Sequence, residues 1–375
     1  MAEQERVREN LRETEVDPKL YYDYEGRFIK QKLERERMEL LPRVVKPPMF
    51  AKGGHILGDL RVFERFTVAP LSALTASFMD LKAGERSEKV RLIPSMTAYI
   101  LEGSGTCVQD GQSYPFSAND VVVIPPYTTQ EFIADSKTGF RAWLPQVRLW
   151  HVLGLLWQEQ FDFKSIPEGT LPIKDNAGQL VGFKVPRGLL GLEEDMEVRK
   201  GADGKREAVF SARRAVKQGA AGKTKYDWFL DRLVEENNTE VKGPRVIKGA
   251  DTKLESTRQG KLKFYISLWT EVAARAMDLM TMEIEANGHT GKHRHIFEEM
   301  IYVQAGKGYD IHEQTKYPWE AGDVICIPPM TAHQHFNDGG SLARLISSWS
   351  RQLSHEFLGG IEHISDASSW QKSQA

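Results

Sequence analysis

The chain has 375 residues, 41% apolar and 27% charged, with a formal net charge of -2. That is room for about two or three domains of a soluble globular protein. The near-neutral charge excludes a bulk electrostatic nucleic-acid binder, 36 aromatic residues exclude a disordered chain, and two cysteines, Cys107 and Cys326, exclude a disulfide framework or a thiolate zinc finger. The longest apolar runs, such as Val121-Val122-Val123-Ile124, are too short for a bilayer, and the charged N-terminus carries no apolar leader core. The expectation is a cytoplasmic protein with no membrane and no nucleic-acid partner.

Residues 1–58 read as a partly helical N-terminal arm. Its stretch Phe28 to Leu41 has helix formers of mixed charge and ends near Pro42. Pro47-Pro48 marks a break. From residue 59 to 148, short runs rich in Val, Ile, Thr and Tyr alternate with Gly, Pro, Asn and Asp, the pattern of an all-β barrel. Residues 149–260 have a different texture and read as an inter-barrel insert. Within it Leu171 to Val185 predicts a hairpin turning at 175–178, Lys200 to Lys205 a loop, and Tyr226 to Glu236 an amphipathic helix. The β pattern returns over 261–350, and 351–375 read as a tail.

The two β segments are copies of each other. Residues 99–131 align without a gap onto 302–334, with twelve identities that include Gly103/Gly306, Asp120/Asp323, Val121/Val324, Ile124/Ile327 and Pro125/Pro328. Most are turn or strand residues, so what repeats is architecture. Two copies cannot form a solenoid, so each closes its own core.

Six of the ten histidines fall between residues 289 and 335. His293 and His295, two apart on a strand, project to one face. Further ligands must come from neighbouring strands, and Glu299 and His333 fit that requirement. Three imidazoles and a carboxylate suit a divalent first-row metal, Fe, Mn, Ni, Cu, Co or Zn, and not Mg or Ca. Burying such a set without a cation would be costly.

The arrangement Gly288-x4-His293-x-His295-x3-Glu299-x6-Gly306, followed by Gly322-x5-Pro328-x-Met330-x2-His333-x3-Asn337, resembles the two motifs of the cupin superfamily, and the chain resembles a bicupin over 59–148 and 261–350. Met330 departs from the pattern, which has glycine there. The resemblance implies two jelly-roll-like barrels in tandem and metal ligands His293, His295, Glu299 and His333. At the same offset the first copy carries Val90, Leu92, Met96 and Gln130, so its barrel is expected to hold no metal and to serve a structural role.

His335 shares the strand parity of His333. It reads either as a pocket-facing catalytic acid, base or substrate contact or as a rim histidine. His289 and His312 read as surface residues, Arg344 as a salt-bridge partner before a carboxylate clamp, and Cys326 as packing.

Four protein ligands leave about two positions on an octahedral ion, and one carboxylate leaves a net positive centre that favours an anionic, chelating ligand. Bicupins of this size resemble iron ring-cleaving dioxygenases of the gentisate and hydroquinone type. The resemblance implies an Fe(II) enzyme that takes O2 and a small anionic or chelating aromatic, and a homo-oligomer, with a smaller cupin subunit as a second partner by analogy with the hydroquinone type. A metal motif in the second barrel, with glutamate present, points away from a simple gentisate enzyme. A non-oxidative decarboxylase, isomerase or lyase shares every ligand, and a ligand-binding bicupin is the third reading.

Overall fold

A computed structural model describes residues 41–50, 71–91, 94–126, 128–148, 243–267, 270, 276–356 and 360–374, together with strand residues 159–160, 171–174, 180–184, 195–200 and 206–210. The expected helices over Phe28 to Leu41 and Tyr226 to Glu236 lie outside the described residues, Leu41 apart, and so does Leu92.

Strands of the first repeat are β1 (Leu74–Leu81), β2 (Val90–Arg91), β3 (Met96–Gln109), β4 (Gln112–Ser117), β5 (Val121–Ile124), β6 (Thr129–Ala134) and β7 (Phe140–Val147). Those of the second are β8 (Gly260–Ile266), β9 (Met277–Ile284), β10 (Lys292–His295), β11 (Glu299–Ala305), β12 (Lys307–His312), β13 (Thr315–Glu320), β14 (Val324–Ile327), β15 (His333–Asn337) and β16 (Ala343–Ser350). The fold is therefore all-β with two barrels, as the repeat predicts. In the second repeat one sheet holds β14-β11-β16-β9-β8 and a facing sheet holds β13-β12-β15-β10. Within the insert, Leu171–Lys174 and Leu180–Lys184 pair antiparallel, as the hairpin pattern predicts.

Strand alternation builds the core in three parts. On β11, Ile301 and Val303 face the interior of the second barrel, with Ile325, Ile327 and Leu345 from β14 and β16. The alternate residues Met300 and Tyr302, with Val324, Cys326 and Ile346, face the first barrel, where Tyr99, Val121, Val123 and Trp143 meet them. The interior of the first barrel is a third cluster around Ile100, Phe116, Phe132 and Phe140. β5 and β14 are therefore buried on both faces, which is why both read as unbroken apolar runs stopped by proline.

The glycines that repeat have a steric reason. Gly103 has φ +76° and a Cβ there would sit 2.0 Å from the Gly139 carbonyl oxygen; Gly306 has φ +93° and its Cβ would sit 2.7 Å from Ala343. Only a residue without a side chain fits these corners.

The segments before each repeat exchange places. Val44–Val45 pairs with β14 of the second barrel, and Val246–Ile247 pairs with β5 of the first. The sequences are near copies, Pro42-Arg43-Val44-Val45-Lys46 and Pro244-Arg245-Val246-Ile247-Lys248. Each lysine meets the repeated aspartate of the barrel it joins, Lys46 on Asp323 and Lys248 on Asp120. A third tie is Glu298, buried between the barrels, whose carboxylate accepts the backbone N–H groups of Ser72, Ala73 and Leu74 at 2.6, 2.7 and 3.2 Å.

In the C-terminal segment, β17 (Ile361–Ser365) adds a strand beside β10, so the strand that carries His293 and His295 lies between β15 and β17. A short helix, α1 (Ser368–Gln374), closes the described chain.

Candidate metal centre

The centre lies between the two sheets of the second barrel. β10 supplies His293 and His295, β15 supplies His333, and β11 supplies Glu299 from the opposite sheet. His293 and His333 stand directly opposite each other in the ladder. Two-residue spacing on one strand and one cross-strand partner thus place three imidazoles together, as alternation requires. One nitrogen or oxygen from each of the four side chains lies within 4.8 Å of every other.

The hydrogen bonds around the imidazoles decide which nitrogen faces inward. His295 Nδ1 lies 2.6 Å from the Phe297 carbonyl oxygen, and His333 Nδ1 lies 2.9 Å from that of Thr331. A carbonyl only accepts, so both Nδ1 atoms carry the proton. In the neutral rings both Nε2 atoms then point lone pairs at the same carboxylate oxygen, Glu299 Oε2, at 3.1 and 3.4 Å. The Ser347 hydroxyl, donating to the other oxygen, Oε1, favours the ionised form of the Glu299 carboxylate. Burial, reinforced by the neighbouring His333, keeps His293 well below the usual imidazole range, and burial lowers His333 against the pull of Glu299. His293 and His333 are therefore held in the neutral form, the form in which an imidazole ligates a metal. His293 Nδ1 and His333 Nε2 are buried without a hydrogen-bond partner. Such groups are costly unless a cation meets them. The donor set fits a divalent first-row metal.

Behind this cluster is a second one. His335, on the same strand, is fully buried, and its Nδ1 lies 2.8 Å from Asp310 Oδ2 on β12. Asp310 stands directly opposite His335 in the ladder. It also accepts from Trp319 Nε1 at 2.7 Å and lies 3.3 Å from His312 Nε2. Burial would raise the Asp310 carboxyl, but His335 and His312 drive it far below the usual range. Burial would lower His335, but Asp310 raises it on balance. Its Nε2 is buried and unpartnered.

His335 is therefore buried beside Asp310 and does not lie at the rim. The surface reading of His312 does not agree with the geometry: it is buried against Asp310, because it has the same strand parity as the inward His333 partner it pairs with. His289 is partly buried, with Nδ1 2.9 Å from the Thr290 carbonyl oxygen. Arg344 pairs with Glu283 at 2.8 Å, and Cys326 packs in the core. Asp310 escaped sequence reading. Its signal was a lone acid at the inward parity of β12, between Gly308 and His312.

The first barrel repeats the geometry with different side chains. Val90 pairs with Gln130 across the ladder as His293 does with His333. Met96 stands at the Glu299 position and packs into the apolar interior, with Gln130 Nε2 3.8 Å from its sulfur.

Residues 280–349 match the Cupin domain family. No curated protein matches the chain. Among solved structures, an oxalate decarboxylase variant from Bacillus subtilis is 15% identical, with 74% of this chain and 68% of that one covered and a TM-score of 0.47. A salicylate 1,2-dioxygenase from Pseudaminobacter salicylatoxidans is 11% identical, covering 78% and 75%, with a TM-score of 0.47. A variant of the latter is 11% identical, covering 89% and 85%, with a TM-score of 0.48.

Proposed function

We propose that the protein is a mononuclear metalloenzyme in which His293, His295, Glu299 and His333 hold a divalent cation, Fe(II) before Mn, Ni, Zn, Cu or Co. On this reading it is a dioxygenase that opens the ring of a small hydroxylated aromatic. One observation carries the metal: two imidazole lone pairs and a carboxylate oxygen converge at 3.1 and 3.4 Å, with both imidazole protons committed elsewhere. Acceptors facing acceptors repel, and a cation between them reverses the sign.

A bound ion would supply Lewis acidity and redox chemistry. The chain supplies the rest. The carbonyls of Phe297 and Thr331 fix two imidazoles in the ligating tautomer, and Ser347 orients the carboxylate. The apolar residues Ile301, Ile325 and Ile327 exclude water from the barrel interior. His335, its Nδ1 proton held by Asp310, presents Nε2 as the proton acceptor for a phenol hydroxyl. In the reaction one ring carbon–carbon bond breaks and both atoms of O2 enter the product. The ring is oxidised and dioxygen is reduced. The partners on this reading are a chelating, anionic aromatic and O2.

The Asp310–His335 pair also supports a second reading, a decarboxylase, isomerase or lyase, because proton transfer alone needs no oxidant. Oxygen dependence separates the two. Anaerobically prepared, Fe(II)-loaded protein is given dihydroxy aromatics in an oxygen electrode. The dioxygenase reading expects oxygen uptake matched to ring opening, lost together with the metal in His333→Ala and retained in Gln130→Ala. Turnover that proceeds unchanged without oxygen transfers the assignment to the non-oxidative reading, and full turnover by metal-stripped protein contradicts both.

A further inference from the structure

On the side of the β9–β16 sheet away from the metal centre, the seam between the barrels opens into a cleft of about 260 Å³. Its floor is polar. The buried side chains of Tyr99, Tyr265 and Thr281 bring their hydroxyl groups to it. Its walls carry Lys263, Arg344 and Asn119. Glu283 faces Arg344, taking its Nε and Nη2 at 3.2 and 2.8 Å. Lys263 Nζ gives one donor to the Gly249 carbonyl at 3.0 Å. Asn119 Oδ1 accepts from Tyr99 and from Gln304, which leaves the Asn119 amide N–H groups without an acceptor among the described residues. Two cations and one carboxylate give the cleft a net charge of about +1, with several donors in hand.

The repeat supplies a control. The opposite seam, related by the internal duplication, is filled differently among the described residues. There Phe78 stands where Thr281 stands here, and its ring packs on Phe50, Trp143 and Tyr302 at 5.6, 5.1 and 5.3 Å. Asp80 and Arg141 correspond to Glu283 and Arg344 and form the same pair at 3.4 Å. The Arg141 guanidinium is capped by the Phe78 ring at 4.6 Å, whereas Arg344 faces the cleft. Pro47-Pro48 occupies the place of Gly249-Ala250. Joining the barrels therefore does not require an open polar seam, since an apolar plug does it on the other side. What distinguishes this side is space together with unspent N–H donors.

We propose that this cleft binds a small oxyanion, a phosphate or carboxylate group, through Lys263, Arg344 and the Asn119 amide. The site is separate from the metal centre, because Thr281, Glu283 and Arg344 have the opposite strand parity to Met282, Ala343 and Leu345, which face the barrel interior. It does not depend on which reaction the metal centre performs.

Equilibrium dialysis of metal-loaded full-length protein against inorganic phosphate, and separately against acetate, tests this. One saturable site per chain is expected for at least one of the two anions, and the tighter one identifies the group preferred. Thr281→Phe, which installs the plug of the sister seam, and Lys263→Met, which removes one cation, should each weaken binding about tenfold or more. His333→Ala should retain it. Absence of saturable binding for both anions overturns the proposal. So does binding that survives Thr281→Phe and Lys263→Met but disappears in His333→Ala, since that anion sits on the metal.

Discussion

Met330 has φ +63° and is half exposed in the turn that follows Pro328-Pro329. Its backbone N–H bonds the carbonyl oxygen of His295 at 2.7 Å, so the turn is fixed to the candidate site. A side chain in the left-handed region costs about 1 kcal/mol, which explains why the motif resembled has glycine there. Met330→Gly is expected to raise stability by about 0.5 kcal/mol, after the entropy glycine adds to the unfolded chain, with metal content unchanged. Urea denaturation measures it, and a loss of stability would contradict the strain. Asp278 is buried at the start of β9, with Arg351 Nε 3.9 Å away and Trp349 as hydrogen-bond partner. Burial pushes its carboxyl up to about 7. The folded state therefore holds a proton that the unfolded chain has lost, and stability falls as pH climbs from the ordinary carboxylate range to about 7. Asp278→Asn should be near neutral at about pH 4 and stabilising on the order of 3 kcal/mol at about pH 8. Denaturation curves at the two pH values check this; equal effects at both would contradict it.

At the scale of elements, alternation made the strand of the paired histidines legible. The period of two in Lys292-His293-Arg294-His295 places both imidazoles on one face, and β10 does so. The same period could not say that Asp310 would meet His335, because a cross-strand partner depends on register, which no local pattern carries. The exchanged strands were hidden for a related reason. Arg43-Val44-Val45-Lys46 looks like any short β run, and its copy at Arg245 to Lys248 lies 202 residues on, one short of the spacing of the main repeat. Its partner is a strand about 280 residues away. The exchange predicts where damage spreads. Deleting residues 1–46 uncovers β14 in the second barrel and removes the Lys46–Asp323 pair, while β5 in the first barrel keeps Val246–Ile247. Hydrogen exchange should show the Cys326 amide, which bonds the Arg43 carbonyl at 2.8 Å, losing protection, and the Val123 amide, bonded to Arg245 at 2.8 Å, keeping it. Faster exchange at Val123 with Cys326 unchanged would contradict the strand exchange.

At the scale of the whole molecule, a duplicated barrel differs between its copies in two places while its framework recurs. The Asp–Lys pairs, the corner glycines and the doubly buried strands recur in both halves. The position of the first difference was legible, because an ungapped repeat sets Val90, Met96 and Gln130 against His293, Glu299 and His333. The second, the seam that is plugged by Phe78 on one side and open at Thr281 on the other, needed the packing of one sheet on the other, which composition and period do not encode. The central claim is a single cation in the second barrel. An anomalous difference map from crystals of the full chain loaded with Fe(II), collected at the iron edge, tests it most directly. The account predicts one peak, bounded by the His293, His295 and His333 nitrogens and the Glu299 carboxylate. No peak there, or a peak between Val90, Met96 and Gln130, would contradict it.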